Sequence, residues 1–151
     1  MFRSTKTYGH EIGLSACFRQ WRAESHCRLL HGYALGVRFE FEASELDVRN
    51  WVVDFGSLKS LKGWLEDTFD HTLVVASDDP SKNELFRLHD LGLARVVEVD
   101  ACGCEQFAKL IFDATCVWLA DNGYTPRVRL ASVEVKEHGA NSAIYTGEQE
   151  A

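Results

Sequence analysis

The chain has 151 residues, 46% hydrophobic and 26% charged, which is the balance of one soluble domain (1–151) able to bury a core. The net charge of −7 disfavours nucleic acid, whose phosphate backbone wants a basic face. The longest apolar runs fall far short of the roughly 20 residues of a membrane helix, so no membrane partner is expected. A small anionic ligand stays open, because Arg19, Arg22 and Arg28 are clustered in sequence. The opening MFRSTKTYGHE lacks the apolar core of a signal peptide, and the expected location is cytoplasmic. The cysteines (Cys17, Cys27, Cys102, Cys104, Cys116) are odd in number and lack paired spacing, so free thiols are expected. Cys116 reads as a small core hydrophobe, and Cys102-Gly103-Cys104 without a second pair is a weak metal motif.

Taken in order, residues 5–19 read as a strand with a bulge at Gly13. A turn at Gly32 leads to the clearest strand, 33–43, where Leu35, Val37, Phe39 and Phe41 alternate with polar or small residues. Such alternation suits an antiparallel sheet with one wet face. The period then changes: Leu58, Leu61, Trp64, Leu65 and Phe69 predict a helix over 55–69, with Asp54 as its N-cap. Residues 76–92 read as a loop or short helix, and Val96, Val97 and Val99 as a short strand. A second helix is predicted over 104–121, ending at Asn122-Gly123. Alternation returns over 127–137, with one step out of register near Ala131-Ser132 where a bulge fits. A last strand follows over 142–146. Two hairpins with two helices between them imply an α+β domain, helices on one face of an antiparallel sheet.

Three places carry candidate chemistry. Cys27 lies four residues before His31, Asp70-His71 ends the first helix, and Glu137-His138 ends the long late strand. A thiol, an imidazole near its working pKa and carboxylates are the groups that move protons on a small polar substrate. His10, His89 and His138 read as surface residues.

CRLLHGY before the long strand, WVVDFGSLK at the first helix, FDHTL after it and VEVKEH near the end resemble the 6-pyruvoyl-tetrahydropterin synthase and 6-carboxytetrahydropterin synthase family. The resemblance implies the T-fold: a four-stranded antiparallel sheet with two helices on one side, order ββααββ. It also implies a homo-oligomer, commonly a hexamer of two stacked trimers, with active sites between subunits. Open sheet edges give a physical reason for such assembly. By position, Cys27 resembles the catalytic thiol, and Asp70 with His71 the acid–base pair. Glu137 resembles the carboxylate that grips the pterin's amino-pyrimidine edge with two hydrogen bonds. Glu105 resembles a glutamate at the second helix start, although Cys102-Gly103-Cys104 replaces the family's usual Pro-Thr there.

The family's zinc is held by a histidine closing F-x-A-x-H and two more in H-G-H. Here those places hold Phe18, His31 and Tyr33, and only His31 is a ready ligand. Zinc is then a cofactor only if Cys17 or His26 supplies a missing donor, and strand alternation argues against Cys17. The implied activity is that of a lyase acting on 7,8-dihydroneopterin triphosphate in 7-deazaguanine (queuosine) synthesis. Two alternatives are a pterin- or purine-binding T-fold module without turnover, and a metal-independent dihydroneopterin aldolase-like enzyme.

Overall fold

A computed structural model describes residues 1–148. Its backbone is one long strand, β3 (His31–Ala43), in which Leu35, Val37, Phe39 and Phe41 are all almost fully buried. Two strands share one flank of β3 in antiparallel register: β1 (Phe2–Tyr8) with its second half and β2 (Leu14–Phe18) with its first. The single strand expected over 5–19 is therefore two strands, separated by a short 3-10 turn at His10–Ile12 and by Gly13 at φ 76°. On the other flank runs β6 (Val128–His138), itself paired with the edge strand β7 (Asn141–Tyr145). Ala131 is the extra residue of β6, because Ser132 faces Glu40 while Leu130 faces Phe41. The bulge keeps Leu130, Val133 and Val135 all on the buried face.

Gly32 is not a turn. It is a strand residue opposite Cys17, and a Cβ there would lie 2.8 Å from the Ala16 carbonyl oxygen. Glycine serves here by allowing the close approach of two backbones.

The helix predicted over 55–69 is a 3-10 turn, Phe55–Leu58, continuing as α1 (Lys59–Phe69). Asp54 caps it as expected, its carboxylate accepting the Gly56 N–H at 2.8 Å. The long helix α3 spans Cys104–Asp121. Both bury their apolar stripes in one core, Leu61, Leu65 and Phe69 from α1 and Phe107, Ile111 and Leu119 from α3. Cys116 does not join this core; it is on the exposed side of α3.

The segment between these helices departs from the expected four-stranded antiparallel sheet. Thr72–Ala76 form β4, α2 spans Lys82–Asp90, and Arg95–Val99 form β5. β4 runs parallel to both β2 and β5, so the sheet is mixed and seven-stranded, in the order β5-β4-β2-β3-β6-β7 with β1 also on β3. A parallel pair needs a crossover, and α2 supplies it. The α-helices number three among the described residues. α2 covers the opposite face of the sheet, where Leu85 meets Leu73 and Val75 while Val74 and Ala76 face the main core. All five residues of β4 are buried, so the run carries no alternation to announce it. No helix of the described residues is long and apolar enough to cross a membrane.

Candidate active site

Cys27 is in a short 3-10 turn, His26–Arg28, within the connection from β2 to β3. Its own carbonyl accepts the Gln20 N–H at 2.9 Å, and its N–H reaches the Ser25 hydroxyl at 3.4 Å. The thiol is half-buried. The limb before it is tied to the rest of the fold. Arg19 forks onto Asp79, Nε donating at 2.8 Å and Nη2 at 2.6 Å, while its Nη1 donates to the Arg28 carbonyl at 3.2 Å. Arg22 and the Trp21 indole both bond Asp78. The Gln20 amide donates to the Cys102 carbonyl at 2.8 Å. Gly103 makes room for it: φ is 115° there, and a Cβ would lie 2.1 Å from the Gln20 amide nitrogen. That contact is a physical reason for Cys-Gly-Cys at this helix entrance. Arg19 and Arg22 are thus engaged with carboxylates rather than free for an anionic ligand.

Tyr33 is the meeting point on this side of the sheet. Its phenol is pushed up by burial and by the nearby Glu137 carboxylate, Cys27 and Cys104. Its ring lies 5.5 Å from that of His31 and 6.2 Å from that of His138. Glu137 reaches this group through an irregularity in β6: Lys136 pairs with Ser142 and His138 with Asn141, leaving Glu137 unpaired between them. Bulges of this kind re-aim a side chain. Beside it, Cys104 starts α3 as a buried thiol pushed up to about 12 by burial and by the Glu137 and Glu105 carboxylates. Cys102 is likewise pushed up to about 12 by burial. Both are thiols at neutral pH, and so poor nucleophiles. Glu105 itself is exposed in the first turn of α3, where the helix dipole favours a carboxylate. Cys104 is the residue here that sequence reasoning left out of the site, and Tyr33 enters that reasoning only as a metal-ligand place; neither spacing nor pattern links them to Glu137.

Asp70 and His71 form their pair, with Nδ1 of His71 2.7 Å from the Asp70 carboxylate. That hydrogen bond is the main reason the Asp70 carboxyl is held below the usual carboxylate range; the Ser15 N–H and the charges of His71 and Arg95 add to it. Asp70 is fixed at the end of α1, and its carbonyl accepts from Arg95 at 2.8 Å. His71 is held at φ 55°, an uncommon conformation outside glycine, by its N–H bond to the Ser15 carbonyl at 2.7 Å. The imidazole is 86% exposed. It opens on a recess of about 390 Å³ that Ser15, Cys17, Leu30, Gly32 and Arg95 also line. Within one protomer, then, Cys27 and Glu137 gather around Tyr33. His71, with Asp70 bonded to it, opens on its recess on the opposite side of the β2–β3 ladder from Tyr33.

The family's three metal-ligand places do not fit a zinc ion. Phe18 is 1% exposed, with its ring 5.0 Å from Phe107 and 5.3 Å from His31, which fills the space with carbon. His31 uses Nδ1 on the Leu29 carbonyl at 2.7 Å. Cys17 lines the other recess, and its thiol is pushed up by burial; His26 is exposed. Among the described residues no three His, Cys, Asp or Glu side chains are grouped to hold a metal.

Of the histidines expected at the surface, His89 and His138 are exposed, while His10 is half-buried with Nδ1 on the Ala34 carbonyl.

The model of the 6-pyruvoyl tetrahydropterin synthase family matches residues 9–148. The chain belongs to this family. A 6-carboxy-5,6,7,8-tetrahydropterin synthase of Aquifex aeolicus is 26% identical over 98% of this chain and 90% of its own length. One of Rickettsia bellii is 33% identical, over 44% of this chain and 49% of its own. Among solved structures, an uncharacterized protein from Wolinella succinogenes superposes with a TM-score of 0.81 at 21% identity, covering 97% of this chain and 98% of that one. The 6-pyruvoyltetrahydropterin synthase of Plasmodium vivax gives 0.67 at 13% identity, covering 96% and 98%. These likenesses place the fold in the T-fold group, here with the β4-α2-β5 crossover extending one end of the sheet.

Proposed function

We propose that this protein is a lyase of the 6-carboxytetrahydropterin synthase type, acting on 7,8-dihydroneopterin triphosphate in the 7-deazaguanine (queuosine) route and releasing acetaldehyde and triphosphate. The observation that carries this reading is the Asp70–His71 couple, with Nδ1 2.7 Å from the carboxylate and the imidazole on a recess, in a chain whose Aquifex aeolicus relative bears that name over nearly its full length. In this reading Glu137 accepts two hydrogen bonds from the amino-pyrimidine edge and so fixes the bicycle. Cys27 takes the side-chain proton as a thiolate, and the Asp70–His71 couple returns protons. Glu105 supplies a further carboxylate at the mouth. Because Cys27 does not line the His71 recess, the couple facing a given Cys27 comes from a neighbouring copy. The protein therefore works as a homo-oligomer, with the hexamer as the expected form. No step is routed through zinc, since the donor set does not fit one.

The test is to supply 7,8-dihydroneopterin triphosphate to the purified protein and assay for acetaldehyde and the carboxylated pterin. Turnover is expected, and Cys27→Ala should remove it by about a hundredfold or more, the scale of a lost acid–base group. Absence of turnover with and without added zinc would defeat the proposal.

The lost metal donors favour a second reading, a pterin- or purine-binding module without lyase activity. A pterin that raises the melting temperature without being turned over would establish it. Release of glycolaldehyde from dihydroneopterin would instead mark aldolase-like cleavage.

A further inference from the structure

The limb that carries Cys27, residues 23–30, has an unusual mode of attachment. Among the described residues, its side-chain-mediated and loop hydrogen bonds run within the connection, back to Arg19 and Gln20, or to His31 at the start of β3. The bonds that leave for other elements start on the preceding limb: Arg19 to Asp79, Gln20 to Cys102, and Trp21 and Arg22 to Asp78. Gln20 and Arg19 each do both, Gln20 through its backbone N–H on the Cys27 carbonyl and its amide on Cys102, and Arg19 through one guanidinium. The Arg19 fork is on Asp79, and its remaining arm holds the carbonyl of Arg28, the residue after Cys27.

Asp79 is a firm anchor for this arm. Its side chain is only 2% exposed, and Arg19 occupies both carboxylate oxygens. The same carboxylate accepts the Ser81 N–H at 2.8 Å, while the Asp79 N–H donates to the Ala76 carbonyl at 3.0 Å. Asp79 is thus locked to the end of β4 before Arg19 reaches it. By contrast, the neighbouring Arg22–Asp78 pair is 74% and 53% exposed, and water can substitute for either partner. A planar guanidinium with its fork fixed can aim its third nitrogen at one carbonyl, which an ammonium cannot do.

We propose that Asp79 is a positioning residue for Cys27, acting through the Arg19 guanidinium to hold the reactive thiol's backbone in place. The proposal deepens the reading of Cys27 as the reacting thiol and rests on it. It ties the β4-α2-β5 crossover, which lies away from the substrate-gripping carboxylate, to the chemistry at the far side of the ladder.

The experiment uses the full chain in its native assembly and compares wild type, Asp79→Asn and Arg19→Lys, with Lys82→Ala as a control on the exposed Lys82–Glu98 pair of α2. Iodoacetamide alkylation is followed residue by residue by peptide mass spectrometry, with exposed Cys116 as the internal reference and buried Cys102 and Cys104 as reporters of global opening. In Asp79→Asn the Cys27 rate should rise roughly fivefold against Cys116 while Cys102 and Cys104 stay protected. With 7,8-dihydroneopterin triphosphate, kcat should fall about tenfold and KM stay within about twofold, because ångström-scale misplacement of a reacting group acts on turnover. Arg19→Lys keeps the charge but not the fork and should lie between the two; Lys82→Ala should match wild type.

A lowered melting temperature with an unchanged Cys27-to-Cys116 ratio and unchanged kcat would overturn the proposal, leaving the pair a mere staple. If Asp79→Asn does not fold, the same two readouts on Arg19→Lys decide. Should Cys27→Ala retain turnover, the reading of Cys27 as the reacting thiol falls, and the alkylation ratio still decides whether Asp79 orders that limb.

Discussion

The ring of Phe18 lies 5.3 Å from that of His31, tilted by 47°, and edge-on to Phe107 at 5.0 Å. With Tyr33 beside them, an aromatic wall therefore stands where the family's first and third metal donors would be. Restoring them makes a sharp prediction. Phe18→His with Tyr33→His should bind close to one zinc per chain by elemental analysis, while the wild type binds far less. Without metal the double variant should be less stable by ~1–3 kcal/mol, the scale for a buried polar group lacking a partner. Zinc should recover that loss in thermal unfolding, because the ion binds only the folded arrangement. Stoichiometric zinc in the wild type would defeat the idea.

The Arg19–Asp79 pair predicts a particular pH dependence. Arg19's hydrogen bond holds the native Asp79 carboxyl below the ordinary value of about 3.9, partly offset by burial. The pairing thus stabilises the fold fully above that value and fades as pH falls through the lower native one. Arg19→Ala leaves a buried carboxylate alone and should cost ~3 kcal/mol at pH 7. As acid neutralises Asp79 in the variant, its deficit against wild type should shrink. Urea unfolding of both proteins at pH 7 and pH 4 measures this, and a deficit that grows toward acid would contradict it.

Glu137 lies between two β-ladder pairs and has no ladder partner of its own, so changing its side chain removes no strand pairing. Glu137→Gln should leave the unfolding midpoint almost unchanged and raise the KM for the pterin substrate by roughly tenfold to a hundredfold. That range follows from losing a hydrogen bond to a charged group, worth ~1.5–3 kcal/mol. An unchanged KM would place pterin recognition elsewhere.

Much of the fold is legible in the residues because burial imposes a period. β3 alternates since one of its faces is dry, and the slip at Ala131 is visible because the apolar set of β6 must return to that face. β4 is hidden for the opposite reason: buried on both faces, TLVVA carries no period, and nothing after α1 marks it as a strand. α2 is obscured by its polar surroundings, with only Leu85 fully inside. Asp70–His71 is legible because the partners are adjacent. Arg19–Asp79 and the Cys104–Glu137 neighbourhood join residues far apart in sequence, and only the mixed topology brings them together.

β3 is bonded along one flank by both β1 and β2 and along the other by β6. From Val37 to Ala43 it is paired on both sides, by β1 and β6, whereas β5 and β7 each have one pairing partner to lose. In deuterated water the amides of Val37 to Phe41 should therefore be the last to exchange, at a rate set by global unfolding. The doubly flanked half of β3 would be the most durable part of the molecule, and His31 and Tyr33 continue the same strand beyond it.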